Sequence, residues 1–306
     1  MPHFLSLKTL LLTAVLTGLA LPVQAEDAVD FTPVAGFPQT PDHITWAACS
    51  GVAINSQGQV YIFHRGKHPL VCFDKDGKYI PSWGEKLDAE IATPHGLRID
   101  SEDNIWLTDI GHHLVRKYSP KGKLLLAVGT TDKPGTGENQ FDKPTDVAFG
   151  PQGEFFVTDG YGNSRVMVFG KQGKFLRTWG HAGTGEGEFN TPHVAVVDKA
   201  GRLLVGDREN NRIQVFSTDG KLQAIWTGMT PFGMALDRDG RLFIADGKAH
   251  NVVQLDKHGK IVGKWGKQGH APGEFGLPHM LAIDADGNLY VTEITGMRVQ
   301  KLARKK

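Results

Sequence analysis

The sequence predicts an all-β chain folded as a six-bladed β-propeller with four-stranded antiparallel blades. Two observations carry that prediction. The first is a repeat: aligned on an Asp-x-x-Gly turn, copies begin near residues 49, 94, 144, 192, 231 and 278. Their first residues are Cys49-Ser50-Gly51-Val52, Pro94-His95-Gly96-Leu97, Pro144-Thr145-Asp146-Val147, Pro192-His193-Val194-Ala195, Pro231-Phe232-Gly233-Met234 and Pro278-His279-Met280-Leu281. Intervals of 45, 50, 48, 39 and 47 residues match one propeller blade. The second observation is the pattern inside each copy, where short apolar runs joined by tight glycine turns repeat as strands do.

The elements of a copy follow in order. A short inner strand, such as Val147 to Phe149 or Leu281 to Ile283, precedes a turn such as Asp284-Ala285-Asp286-Gly287. A second strand follows and ends in an acid: Asp109, Asp159, Asp207, Asp246 or Glu293, with His64 in the first copy. Recurrence of the acid argues for turn capping and blade docking. A third strand with an Arg-Val-x-x-Phe flavour (Arg165 to Phe169, Arg212 to Phe216) leads through a Gly-Lys turn to a fourth strand. That strand is expected to close on Trp-Gly at Trp83, Trp179 and Trp265, where the indoles serve packing. The sixth copy stops after three strands, at Leu302-Ala303-Arg304. An open edge there would invite pairing with another chain, so residues near Phe31 to Phe37 are expected to supply the missing outer strand and close the ring.

The first 25 residues read as a signal peptide: Lys8, an apolar run from Thr9 to about Leu21, and Val23-Gln24-Ala25 as a cleavage site. Residues 26–306 then form one propeller domain, exported to the periplasm or secreted, with no membrane span in the mature chain. The run is too short for a comfortable span. Composition agrees with a globular chain: 40% of residues are hydrophobic, which excludes a disordered or collagen-like chain. Lys and Arg number 34 and Asp and Glu 33, a net charge of +1, so no basic field is available to hold a nucleic acid. Cys49 and Cys72 fall on the first and third strands of one blade, two strand spacings of roughly 4.8 Å apart, beyond the roughly 7 Å limit of a disulfide. They are expected as free, buried thiols.

The second residue of each copy lines one mouth of the central channel. Those residues are Ser50, His95, Thr145, His193, Phe232 and His279, so histidine recurs in alternate blades. Three imidazoles converging on one axis, with a fourth position open, are the ligand set of a catalytic zinc. The competing interpretation is a hydrogen-bonded histidine ring. Loops after the second strands share this mouth and carry Arg65, His68, His112, His113, Tyr161, Arg208 and His250. Arg65 and Arg208 occupy matching positions in opposite blades, where two guanidiniums would attract a carboxylate; the alternative role for each is an ion pair with a blade-end acid such as Asp207.

The repeat resembles the NHL family of six-bladed propellers. Phe63-His64-Arg65-Gly66, Pro94-His95-Gly96-Leu97, Pro144-Thr145-Asp146-Val147, Asp159-Gly160-Tyr161-Gly162-Asn163-Ser164-Arg165 and Asp207-Arg208-Glu209-Asn210 further resemble peptidyl-α-hydroxyglycine α-amidating lyases. The resemblance implies zinc, or another divalent transition metal, on His95, His193 and His279. It also implies Tyr161 as the base near the substrate hydroxyl, assisted by Arg65, with Arg208 lining the site. The implied substrate is a small or peptidyl α-hydroxyglycine with a carboxylate, cleaved at the carbinolamide C–N bond to an amide and glyoxylate. In that family an acid follows the third histidine and helps hold a structural calcium; here the position is Met280, which argues against calcium. Two other functions stand beside the lyase: a propeller acting as a binding module, and a lactonase-like calcium propeller. The latter needs acidic or amide ligands in the channel, where Asp146 is the one acid near the inner strand starts.

Overall fold

The computed structural model describes residues 28–305 together with Met1; the leader predicted over residues 1–25 otherwise lies outside the described residues. Six four-stranded antiparallel sheets form a ring of blades. The inner strands are Cys49–Ile54, Pro94–Ile99, Asp146–Phe149, Pro192–Val197, Pro231–Leu236 and Pro278–Ile283, in blades 1 to 6. Closure occurs as the truncated sixth copy requires: Phe31–Pro33 pairs with Arg298–Arg304 in the register Phe31↔Arg304, Thr32↔Ala303, Pro33↔Leu302. Phe31 is buried and meets the rings of Phe243 and Trp265 edge-on at 5.9 and 5.1 Å.

Apolar side chains alternate between the two faces of each sheet, so the core divides into clusters between neighbouring blades rather than one central mass. Val194, Ile213 and Val215 of blade 4 pack with Ile244, Val253 and Leu255 of blade 5, and corresponding clusters fill the other interfaces. Cys49 and Cys72 lie in the clusters on opposite sides of blade 1. Both are buried free thiols, and burial pushes the Cys72 thiol up to about 12.

One element departs from expectation. The fourth strand of blade 1 is only Tyr79–Ile80, and Trp83 opens a 3-10 helix, Trp83–Ala89. The Glu85 carboxylate accepts the Ser82 N–H at 3.0 Å and turns the chain out of the sheet. Trp83 still packs, against Tyr118 at 5.1 Å. Trp179 and Trp265 do end the outer strands Phe175–Trp179 and Ile261–Trp265.

The acids that end the second strands dock the connection arriving from the preceding blade. Asp109, Asp159, Asp207 and Glu293 each accept the backbone N–H of the residue 17 positions earlier: Ala92, Asp142, Asn190 and Gly276, at 3.0, 2.8, 2.7 and 2.6 Å. Each carboxylate, fully buried, also pairs with an arginine of the third strand, at Arg116, Arg165, Arg212 and Arg298. In blade 1 His64 does this work without charge. Its Nδ1 accepts Gly66 N–H at 3.3 Å and Ala47 N–H, again 17 positions earlier, at 3.5 Å, while Nε2–H donates to His68 O at 3.0 Å. Burial lowers the imidazole to about 4, so a neutral ring replaces the acid and its arginine.

Candidate metal and substrate site

Sequence places His95, His193 and His279 just after the proline that opens inner strands 2, 4 and 6. Pairing slips at those points, between Pro94 and Leu97, Pro192 and Val194, and Pro278 and Leu281. Such a bulge re-aims a side chain, and here the histidines share one buried cup. Their candidate ligand atoms all lie within 4.8 Å of one another. The ring centroids stand 4.8, 4.9 and 4.9 Å apart with interplanar angles of 73°, 77° and 84°, an approximate three-fold.

The odd blades explain why histidine alternates. Each Nδ1 lies 2.7 Å from the backbone oxygen of the matching residue in the next blade: His95 on Thr145, His193 on Phe232, His279 on Ser50. A carbonyl only accepts, so every Nδ1 carries the proton and every Nε2 presents a lone pair. Gly96 permits the close approach, since a Cβ there would stand 2.6 Å from Thr145 O. Burial, with the neighbouring imidazole of His279 and the charges of Arg65 and Arg208, lowers His95 well below the usual histidine range. Burial and Arg208 do the same for His193, and burial brings His279 to about 3. The cup is thus three neutral nitrogen donors with fixed tautomers, the form in which imidazole binds a transition metal.

Tyr161 and Arg208 complete the mouth. Tyr161 Oη lies 3.0 Å from His95 Nε2 and 3.1 Å from His193 Nε2, and it accepts from Arg208 Nη1 at 3.2 Å. One phenolic proton can serve only one of the two imidazoles, and His279 Nε2 has no hydrogen-bond partner among the described residues. The guanidinium of Arg208 lies over the rings of Tyr161 and Phe232, 5.2 and 4.7 Å from their centroids. Its ion pair is with Glu209, at 2.8 Å, whereas Asp207 takes Arg212. Arg65 Nε donates to Pro94 O at 3.1 Å, which ties Arg65 to the residue before His95 and leaves its terminal nitrogens without a hydrogen-bond partner among the described residues.

The other loop histidines serve elsewhere. His112 binds Asp132, His68 binds Glu85 O, and His113 and His250 accept the N–H groups of Lys143 and Leu277. Sequence reasoning named Phe232 as a ring residue without giving it a part; it supplies the carbonyl for His193 and a face for Arg208. It passed over Arg98, although the matching residues of the other inner strands are Ala53, Ala148, Val196, Ala235 and Ala282, and a lone arginine among small residues was the available signal.

Comparison with known proteins follows this geometry. Human NHL repeat-containing protein 3 is 34% identical over 292 residues, which cover 87% of this chain and 82% of that protein. This chain belongs to the NHL-repeat propeller family. A family model described as a 6-bladed beta-propeller (DUF5128) also matches residues 136–225. This NHL propeller is related to enzymes of peptidylglycine amidation. Drosophila melanogaster peptidyl-alpha-hydroxyglycine alpha-amidating lyase 1 is 33% identical over 316 residues, 86% of this chain and 58% of that one. Mouse peptidyl-glycine alpha-amidating monooxygenase is 39% identical over 202 residues, but they are 56% of this chain and only 21% of that protein's length. Among solved structures, a streptogramin B lyase superposes with a TM-score of 0.61 at 16% identity, covering 91% of this chain and 98% of that one, a likeness of fold. No helix of the described residues is long and apolar enough to cross a membrane.

Proposed function

We propose that this NHL propeller is an exported, metal-dependent lyase that cleaves a carbinolamide, a small or peptidyl α-hydroxyglycine, to an amide and glyoxylate. The observation that carries it is the cup: three neutral imidazoles whose lone pairs converge, beside a tyrosine and two arginines. This donor set suits zinc or another divalent transition ion, with His95, His193 and His279 as the ligands. Such an ion supplies Lewis acidity toward the substrate's oxygen atoms.

The chain's own groups account for the proton transfers. Tyr161 acts as the phenolate, its own proton having passed to solvent; Arg208, 3.2 Å away, stabilises the negative charge on Oη, which then takes the proton of the substrate hydroxyl. The hydroxyl oxygen becomes the aldehyde oxygen of glyoxylate as the C–N electron pair passes to nitrogen, which receives the proton from Tyr161. Arg65, held through Nε with its terminal nitrogens unpartnered among the described residues, binds the carboxylate through them. The mouth's positive charge selects an anionic substrate over a neutral amide.

The experiment is elemental analysis of the purified chain combined with release of glyoxylate from a peptide capped with α-hydroxyglycine. One transition metal per chain and metal-dependent glyoxylate are expected. A chain that binds no metal and releases none favours the second class, a propeller that serves as a binding module. Human NHL repeat-containing protein 3, matched over 82% of its length, carries a repeat name rather than an enzyme name, which keeps that class in view.

A further inference from the structure

Only two charged residues lie on the six inner strands, Arg98 and Asp146. Below the histidine cup they meet on the channel axis. Arg98 Nε donates to Asp146 Oδ1 at 2.9 Å and Nη2 to Oδ2 at 2.6 Å. Nη1 continues to Met234 O at 3.2 Å and Nη2 to Ala195 O at 3.4 Å, while Asp146 Oδ2 also accepts Ala195 N–H at 3.1 Å. One side chain thereby links blades 2, 3, 4 and 5. The small residues at its position in the other blades open the space for it, and with Arg98 they line a cavity of about 320 Å³ on the far side of the channel.

We propose that Arg98 is a built-in cation that takes the place of a structural calcium at the centre of the ring. Every partner of the guanidinium is an oxygen, a carboxylate and two backbone carbonyls, the donor set a hard cation uses. Calcium itself does not fit. It needs six to eight oxygens, whereas the one carboxylate here is engaged on both oxygens by Arg98, and a divalent ion beside a guanidinium is repelled. The position that would add an acid is Met280, which is buried and packs with Met234 and Val194 in the interface cluster. One positive charge and one negative charge are therefore balanced within the chain. Two consequences follow: the cup is the one candidate metal site among the described residues, and Arg98 walls it from the far cavity, so ligands enter from the histidine face alone. Neither depends on the lyase assignment.

The test uses the full chain and two readouts other than activity. After dialysis into calcium-free buffer, about 5 mM calcium chloride, enough for even weak extracellular-type sites, is expected to leave the melting temperature unchanged and to give no binding heat. Arg98→Met strands a buried carboxylate and is expected to lower the melting temperature by about 10 °C. Arg98→Lys keeps a cation and falls less, and Arg98→Met/Asp146→Leu, which removes both charges, regains at least half the loss. Calcium uptake or calcium stabilisation by the wild-type chain overturns the proposal, as does an Arg98→Met variant that melts like wild type. If Arg98→Met does not fold, a folded double variant supports the charge argument and an unfolded one overturns it.

Discussion

The histidine cup and the belt of blade-end acids treat buried polar groups in opposite ways. In the belt every carboxylate has its partners: Asp207 alone takes Arg212 at 2.7 Å, Asn190 N–H at 2.7 Å, Asn210 at 2.8 Å and Gln214 at 3.2 Å. In the cup three lone pairs face one another, with a single phenolic hydrogen between two of them. Satisfied networks hold a fold together, and groups left facing each other mark where a fold accepts cost for function. The belt should answer in stability and the cup in metal content and turnover. That separation is what mutation can break.

The largest effect is expected in the cup. His193→Ala removes one of three donors, so metal content should fall to near zero and turnover by roughly 10³-fold or more. The metal-free variant should nevertheless fold, at a cost of about 1–3 kcal/mol against the metal-free wild type, because it gives up the Nδ1–H donated to Phe232 O and leaves that buried carbonyl unpaired. Elemental analysis and thermal unfolding measure the two sides, and full metal retention in this variant would sink the ligand assignment. Asp207→Asn is the mirror experiment. It leaves Arg212 buried without its counter-charge and should cost about 3 kcal/mol or more in unfolding free energy, with metal still bound. Should Asp207→Asn lose its metal while staying folded, cup and belt are not separable.

Much of this contrast was legible in the sequence, for different reasons in each part. The blades were readable because a repeat shows the same strand and turn chemistry again and again, and the missing outer strand of the sixth copy pointed to Phe31. The histidines were readable because the ring position is set by topology. What could not be read is what happens across blades. That Thr145, Phe232 and Ser50 lend carbonyls to fix the imidazole tautomers depends on backbone atoms, which carry no residue signature. That Arg208 rather than Arg65 touches Tyr161 depends on loop conformation. Trp83 was misplaced because a local cap, Glu85 on Ser82 N–H, outweighs strand pairing in the shortest blade edge.

His64 sharpens the comparison, since it performs the belt's task with a group that titrates. Its pKa in the folded chain is about 4, against about 6.5 for a free imidazole. The unfolded chain therefore binds the proton more readily, and this contribution is complete above about pH 6.5 and is lost as pH falls toward 4. By pH 4.5 wild type should forfeit about 2–3 kcal/mol that a non-titrating His64→Asn variant does not. Unfolding of the two proteins at pH 7 and 4.5 gives the difference of differences. A gap that stays constant with pH means that His64 does not hold its neutral form against protonation.

Tyr161 stands where cup and loop meet, and the two accounts of it separate on one hydroxyl. As a group in the reaction, its oxygen moves the substrate proton while Arg208 steadies the charge; as packing, it only fills the space between His95, His193 and Arg208. Tyr161→Phe keeps the ring, and with it the guanidinium contact over the aromatic face 5.2 Å away, so the fold and the metal should be unchanged. Turnover should fall by about 10²-fold, the ordinary scale for losing a general acid–base group, with the loss in kcat rather than KM, because Arg65 still holds the carboxylate. A metal-replete Tyr161→Phe chain with full turnover would assign the proton transfer to another group. A loss confined to KM would instead make Tyr161 a substrate contact, leaving the cup's histidines intact and the proton's acceptor still to be found among the groups at this mouth.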